Sequence, residues 1–218
     1  MSLDKLDATQ TRPDVSGITP YRYTLDGGGR HAVQKLIDEL DAKILLEVGV
    51  YLGGSCYDWL EHSDSLHVIG MDTWSDAYNA RQDLSRYKEI NTSCFRYIDD
   101  IDAFIESTVE HGFYASALAN MSVFGDRFHP YRGHAPEALF EIRDLGVEPD
   151  IIYIDSAKNR INLDAAYECF PNAKLCGDDW EWGASLGFPM QEAVNGFAEE
   201  NGFRARASGA TWILDKIS

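Results

Sequence analysis

Four short apolar runs, separated by helical patterns, set the strongest limit on what this chain can fold into. Residues 43–50 (KILLEVGV), 66–71 (LHVIGM) and 149–154 (PDIIYI) carry aliphatic residues with little polar alternation, and 173–176 (AKLC) is a weaker fourth. Runs of this kind predict strands buried on both faces, as in a parallel sheet. Between them the period is helical. Val33, Leu36, Ile37 and Leu40 share one face of a helix beginning near Gly29, and a short helix is expected from Ser55. Ile98, Ile101, Phe104, Ile105 and Val109 share a face of an acidic helix. Ala138, Leu139, Ile142 and Leu145 do so over 136–145, and a last helix is expected over 192–200. Residues 203–207 and 210–214 flank Ser208-Gly209 as a terminal hairpin. Strands alternating with helices specify an α/β fold with a mainly parallel sheet, to which the hairpin adds an antiparallel edge.

The 218 residues fit a single domain, with an N-terminal arm over 1–28 and an insertion over 74–126. Nineteen Lys plus Arg against 36 Asp plus Glu give a formal charge of −17, which argues against nucleic-acid or anionic-membrane partners. No apolar run is long enough to span a bilayer and the first residues lack a signal-peptide core, so a soluble, cytoplasmic protein is expected. Cys56, Cys94, Cys169 and Cys176 form no paired motif and read as reduced structural thiols.

In such sheets ligands bind beyond the carboxyl ends of the strands, so the residues following each run carry the chemistry. After the first run comes Glu47-Val48-Gly49-Val50-Tyr51-Leu52-Gly53-Gly54-Ser55. Its glycines permit tight turns and close backbone approach, and Ser55 can cap the next helix. Tyr51 stands where a dinucleotide fingerprint has its middle glycine, which disfavours an oxidoreductase reading. Glu47 suits a cation, so a sulfonium or α-amino group is the expected neighbour. Asp72, followed by Thr73, ends the second run and can accept ribose hydroxyls. Asp155 ends the third, with Lys158 three residues on, and Asp178-Asp179 follow the fourth. Three carboxylates at one sheet edge need a positive partner, either a hard divalent cation or a lysine.

The glycine loop together with Asp155-x-x-Lys158 and Gly177-Asp178-Asp179 resembles class I S-adenosylmethionine-dependent methyltransferases. Within them it is most similar to divalent-metal-dependent O-methyltransferases of the catechol and caffeoyl-CoA type and the bacterial sugar and macrocin type. The resemblance implies a Rossmann-like fold with helices on both faces of the sheet. It implies S-adenosylmethionine held by Glu47, Gly49, Tyr51, Gly53, Gly54, Ser55, Asp72, Thr73 and Asp155, with Gly133-His134 near the adenine. It also implies Mg²⁺ on Asp155, Asp178 and Asp179, and Lys158 as the base that deprotonates an acceptor hydroxyl, its pKa lowered by burial or the metal. Asp179 replaces the usual Asn, and the tyrosine that commonly follows the lysine is missing, so a sugar-like or natural-product acceptor is expected. The insertion would cover that acceptor with Trp74, Tyr78, Tyr87, Phe95, Tyr97, Phe113 and Tyr114, most of them serving as its own core, and Trp180 and Trp182 would line the pocket. The arm and the insertion are two surfaces on which a homo-oligomer could form. The remaining alternative is a non-catalytic relative that binds the cofactor and transfers nothing.

Overall fold

A computed structural model describes residues 2–75 and 79–217. Seven strands form one sheet: β1 (Ile44–Val48), β2 (His67–Asp72), β3 (Phe128–Arg132), β4 (Ile151–Ile154), β5 (Lys174–Gly177), β6 (Phe203–Ser208) and β7 (Thr211–Lys216). Their order is β3-β2-β1-β4-β5-β7-β6, with the first five parallel and β7 antiparallel to both neighbours. The hairpin therefore enters the sheet by its second strand. β3 is the edge strand beyond β2.

Alternate residues of each central strand feed two cores, because the side-chain period of a strand is two. Leu45, Val68 and Ile151 point to one face, where they meet α2 (His31–Leu40), α3 (Gly54–His62), α4 (Ala80–Ile90) and α5 (Ile101–Met121). Leu46, Ile69 and Ile152 are paired in register and point to the other. There they meet α6 (Glu137–Asp144), α7 (Ile161–Cys169) and α8 (Pro189–Asn201). With both faces covered, the strands read as continuous apolar runs.

Two expectations need correction. The acidic helix starts at Ile101, where Asp100 caps it by accepting the Ala103 amide at 2.9 Å, and it runs to Met121. Gly112, at φ 78° and ψ 165°, interrupts it, so the apolar stripe does not continue in phase across that residue. The arm also contains a helix, α1 (Ser2–Ala8), whose Leu6 is fully buried in the second core. Asp7 of α1 accepts from His129 of β3 at 3.0 Å, and the other His129 nitrogen lies 3.0 Å from His67 Nδ1. These contacts cover the β3 edge of the sheet.

Candidate active site

The strand order reverses at β1, with β2 on one side and β4 on the other, and a cavity of about 1210 Å³ opens at their carboxyl ends. Gly49, Tyr51, Gly54, Ser55, Asp72, Thr73, Gly133, His134, Asp155, Lys158, Asp178 and Asp179 all line it. Glu47 and Gly53 do not.

Gly49 has φ 97°, and a Cβ there would overlap the carbonyl oxygen of Asp155. This close approach brings the β1 and β4 ends together, and no other residue type allows it. Tyr51 follows with φ 55°. The loop is pinned by Asp72, whose Oδ2 accepts the amides of Val50 and Tyr51, each at 2.8 Å, while its Oδ1 accepts the Trp74 amide at 2.8 Å. Asp72 thus faces the cavity while its oxygens already accept these three amides and, at 3.4 Å, the Thr73 hydroxyl.

Glu47 is placed differently from expectation. The period of two turns its side chain under the sheet, where it is 0% exposed and accepts from Ser55 Oγ and, at 2.6 Å, from Cys56 Sγ. Burial, opposed by the Cys56 and Ser55 hydrogen bonds, pushes its pKa up to about 8. Buried beneath the loop, bonded to Ser55 and Cys56 and absent from the cavity lining, Glu47 does not face a bound cation. Ser55 is consumed by the same contact and does not cap α3, whose N-cap is Gly53.

At the acid edge, the positive partner is a lysine. Lys158 Nζ bonds the Asp179 carboxylate directly and lies 3.7 Å from Asp155 Oδ1. Burial works against its charge, but Asp155, Asp179 and Asp178 outweigh it and raise its pKa rather than lower it. Asp155 is raised to about 7 by burial and by the Asp178 charge, against the pull of Lys158. Burial likewise raises Asp178, whose Oδ1 accepts the Asp179 amide at 2.9 Å. Asp179 adopts φ 66°, a left-handed conformation that Asp and Asn tolerate better than most residues.

Three oxygen-donor carboxylates suit Mg²⁺ in kind. As arranged, however, the position between Asp155 and Asp179 belongs to the Lys158 ammonium. Among the described residues no three His, Cys, Asp or Glu side chains are gathered so as to hold a metal ion. The arrangement therefore does not fit the expected metal set.

Of the expected cover, Trp74, Tyr87 and Phe113 line the cavity. Phe95 is buried in the first core, Tyr97 packs on Arg22 and Tyr114 packs on Trp74, while Tyr78 lies outside the described residues. Trp182 lines the cavity, whereas Trp180 packs against the second core. The sequence reading missed Arg30 and the wall formed by Tyr23, Leu25, Asp26 and Gly27. The triple glycine 27–29 was the available signal.

The architecture is similar to that of several solved methyltransferases. The chain is similar to the O-methyltransferase of Bacillus cereus solved in complex with SAH, with a TM-score of 0.53, 18% identity, and coverage of 98% of this chain and 89% of that one. It is also similar to TomG of Streptomyces achromogenes, an O-methyltransferase involved in tomaymycin synthesis and solved with SAM. That match has a TM-score of 0.58, 15% identity, and coverage of 86% and 79%. A third is the SAH-bound methyltransferase PaMTH1 of Podospora anserina, with a TM-score of 0.53, 14% identity, and coverage of 87% and 78%. No family model matches the sequence, and no curated protein matches it. The chain shares the Rossmann-like fold of these solved proteins. Among its described residues no helix is long and apolar enough to cross a membrane.

Proposed function

We propose that this chain is an S-adenosylmethionine-dependent O-methyltransferase acting on a hydroxyl of a small molecule. The observation that carries the reading is the convergence on one cavity of a clamped glycine loop, a strand-end carboxylate at Asp72 and the Asp155–Lys158–Asp179 cluster. At about 1210 Å³ the cavity exceeds the roughly 300–1,000 Å³ of a typical ligand pocket, which leaves room for a nucleoside and an acceptor together.

Gly49, Tyr51, Gly54, Ser55, Asp72, Thr73, Gly133 and His134 are the residues that would hold the cofactor, whose sulfonium supplies the methyl group. Arg86, Tyr87 and Trp182, which also line the cavity, are the residues left to meet the acceptor. Its hydroxyl lies against the acid edge, where Asp155, whose pKa burial and the Asp178 charge push up to about 7, takes the proton. Lys158, kept protonated by its carboxylates, donates a hydrogen bond to the oxygen as negative charge develops there. The two roles differ from the expected one, in which Lys158 is the base, because the surrounding acids raise its pKa. Holding both partners in line supplies much of the rate.

Magnesium enters this reading only through the resemblance: Asp155, Asp178 and Asp179 would be its donors if a cation displaced Lys158 from Asp179. A sugar-like or natural-product alcohol remains the proposed acceptor. The reading is tested by methyl transfer from labelled S-adenosylmethionine to a panel of such alcohols. Transfer lost in Asp155→Asn and slowed by about tenfold or more in Lys158→Ala, with cofactor binding kept in both, is the expected result. Binding without transfer to any acceptor favours the non-catalytic alternative.

A further inference from the structure

The arginine at the start of α2 is joined to the cavity wall in a way that its position in the sequence does not announce. Arg30 is 6% exposed and lines the cavity. Its Nη1 donates to Thr24 Oγ1 at 3.2 Å and to Asp58 Oδ2 at 3.1 Å, its Nη2 donates to the Leu25 carbonyl, and its Nε lies 3.8 Å from Asp26 Oδ1. One planar guanidinium therefore holds three consecutive residues of the chain against Asp58, which stands on α3, one turn after the glycine loop.

The segment it holds is a strap across the mouth of the fold. At one end, a Cβ on Gly54 would come within 2.6 Å of the Tyr23 carbonyl and 2.9 Å of Thr24 Cα, so the strap lies directly on the end of the glycine loop. At the other end, a Cβ on Gly27 would stand 2.7 Å from Ala210 Cβ and 3.8 Å from Asp178 Oδ1. Gly29 packs so closely on Ser208 that a Cβ would overlap its carbonyl oxygen, and the Ala210 amide donates to the Gly28 carbonyl at 3.0 Å. The strap thus spans from the glycine loop to the acid edge, and Tyr23, Leu25, Asp26 and Gly27 face the cavity.

Resting on the function proposed above, we infer that Arg30 is a positioning residue: it fixes the Thr24–Gly29 strap as a wall shared by the cofactor and acceptor ends of the cavity. An unfixed strap would cost each bound ligand the entropy of ordering it, which a fixed one has already met. Arg22 supplies the comparison. It also pairs with Asp58, at 3.2 Å, and with Glu61, at 2.7 Å, but it bonds no strap residue and does not line the cavity.

The test uses the full-length protein and its Arg30→Gln, Arg30→Lys and Arg22→Gln variants. Amide hydrogen exchange of residues 23–29 is measured without ligand, S-adenosylhomocysteine affinity by calorimetry, and Tm by scanning. Arg30→Gln is expected to speed exchange across the strap and weaken S-adenosylhomocysteine by about tenfold or more. Arg30→Lys, with a single ammonium in place of the fork, is expected to recover only part of each. Arg22→Gln is expected to lower Tm while leaving affinity within about twofold. Should Arg30→Gln fail to fold, Asp58→Asn, which removes the charged partner that Arg30 shares with Arg22, is expected to give the same pattern at the strap in milder form, with Arg22→Gln as its control. Unchanged exchange at 23–29, or unchanged affinity in both Arg30 variants, overturns the inference. If the unaltered protein does not bind S-adenosylhomocysteine, the cofactor reading fails. The exchange data then still decide whether Arg30 fixes the strap.

Discussion

Asp72 Oδ2 accepts the backbone amide of Tyr51 at 2.8 Å, joining the end of β2 to the crown of the glycine loop after β1. The same oxygen takes the Val50 amide, so a single carboxylate sets the conformation of the turn that a cofactor must meet. Tyr51, at φ 55°, pays a conformational cost that this pair of bonds offsets.

Removing that carboxylate leaves the Val50, Tyr51 and Trp74 amides without their acceptor, a loss of about 1–3 kcal/mol. Asp72→Ala is therefore expected to lower Tm by several degrees, at roughly 2–4 °C per kcal/mol for a chain of this size. It should also weaken S-adenosylhomocysteine by more than tenfold. Thermal scanning and calorimetry on the same preparation check both. A variant with normal Tm and normal affinity would show that the loop holds itself.

Glu47 gives a pH prediction with a definite sign. Its folded pKa of about 8 lies above the usual carboxylate value of 4.5, so between these two pH values the folded state holds a proton that the unfolded state releases. Stability from this group is fully present below about pH 4.5 and is lost as pH rises toward 8, with a limiting slope of about 1.4 kcal/mol per pH unit. Glu47→Gln keeps an acceptor for Ser55 or Cys56 and cannot ionise. Its Tm is expected to fall less than that of the unaltered protein between pH 5 and 8. Parallel Tm–pH curves for the two proteins would contradict a buried, protonated Glu47.

How much of this was legible beforehand follows from what each signal measures. Burial on both faces wrote the parallel strands into uninterrupted apolar runs, and Gly49 marked the place where two strand ends nearly touch. The orientation of Glu47 was equally implicit: it follows Leu46 by one residue, so it faces the core that holds Leu45. Reading it as a ligand group overlooked that alternation. Asp72 lines the cavity, yet composition says nothing of the amides that occupy its oxygens. Arg30 escaped notice because its partners, Thr24, Leu25 and Asp58, are brought together only by the strap and α3. The Lys158 contact with Asp179 is likewise a tertiary fact.

That contact bears on metal use. With the Lys158 ammonium already set among the acids, S-adenosylhomocysteine is expected to bind chelator-treated protein as tightly as untreated protein. Methyl transfer is also expected to survive exhaustive chelation. Activity lost to chelation and restored by Mg²⁺ would show that a cation replaces Lys158 at Asp179, returning the three acids to a metal role.

Proton transfer to Asp155 sets the pH profile of turnover. The rate is expected to rise with pH through an apparent pKa near 7 as the carboxylate becomes ionised. In Lys158→Met the opposing cation is gone, so that limb should move to higher pH while the maximal rate falls by about tenfold or more. A limb that stays in place, or vanishes, would remove Asp155 from the role of base.

The account depends most directly on whether the cavity beyond β1, β2 and β4 is a cofactor site. Calorimetric titration of the purified protein with S-adenosylhomocysteine measures this without knowledge of the acceptor. A saturable one-to-one isotherm in the micromolar range, weakened in Asp72→Ala, is the expected result. No binding by a folded protein, with or without Mg²⁺, would contradict the account and send the search to a different ligand for the same cavity.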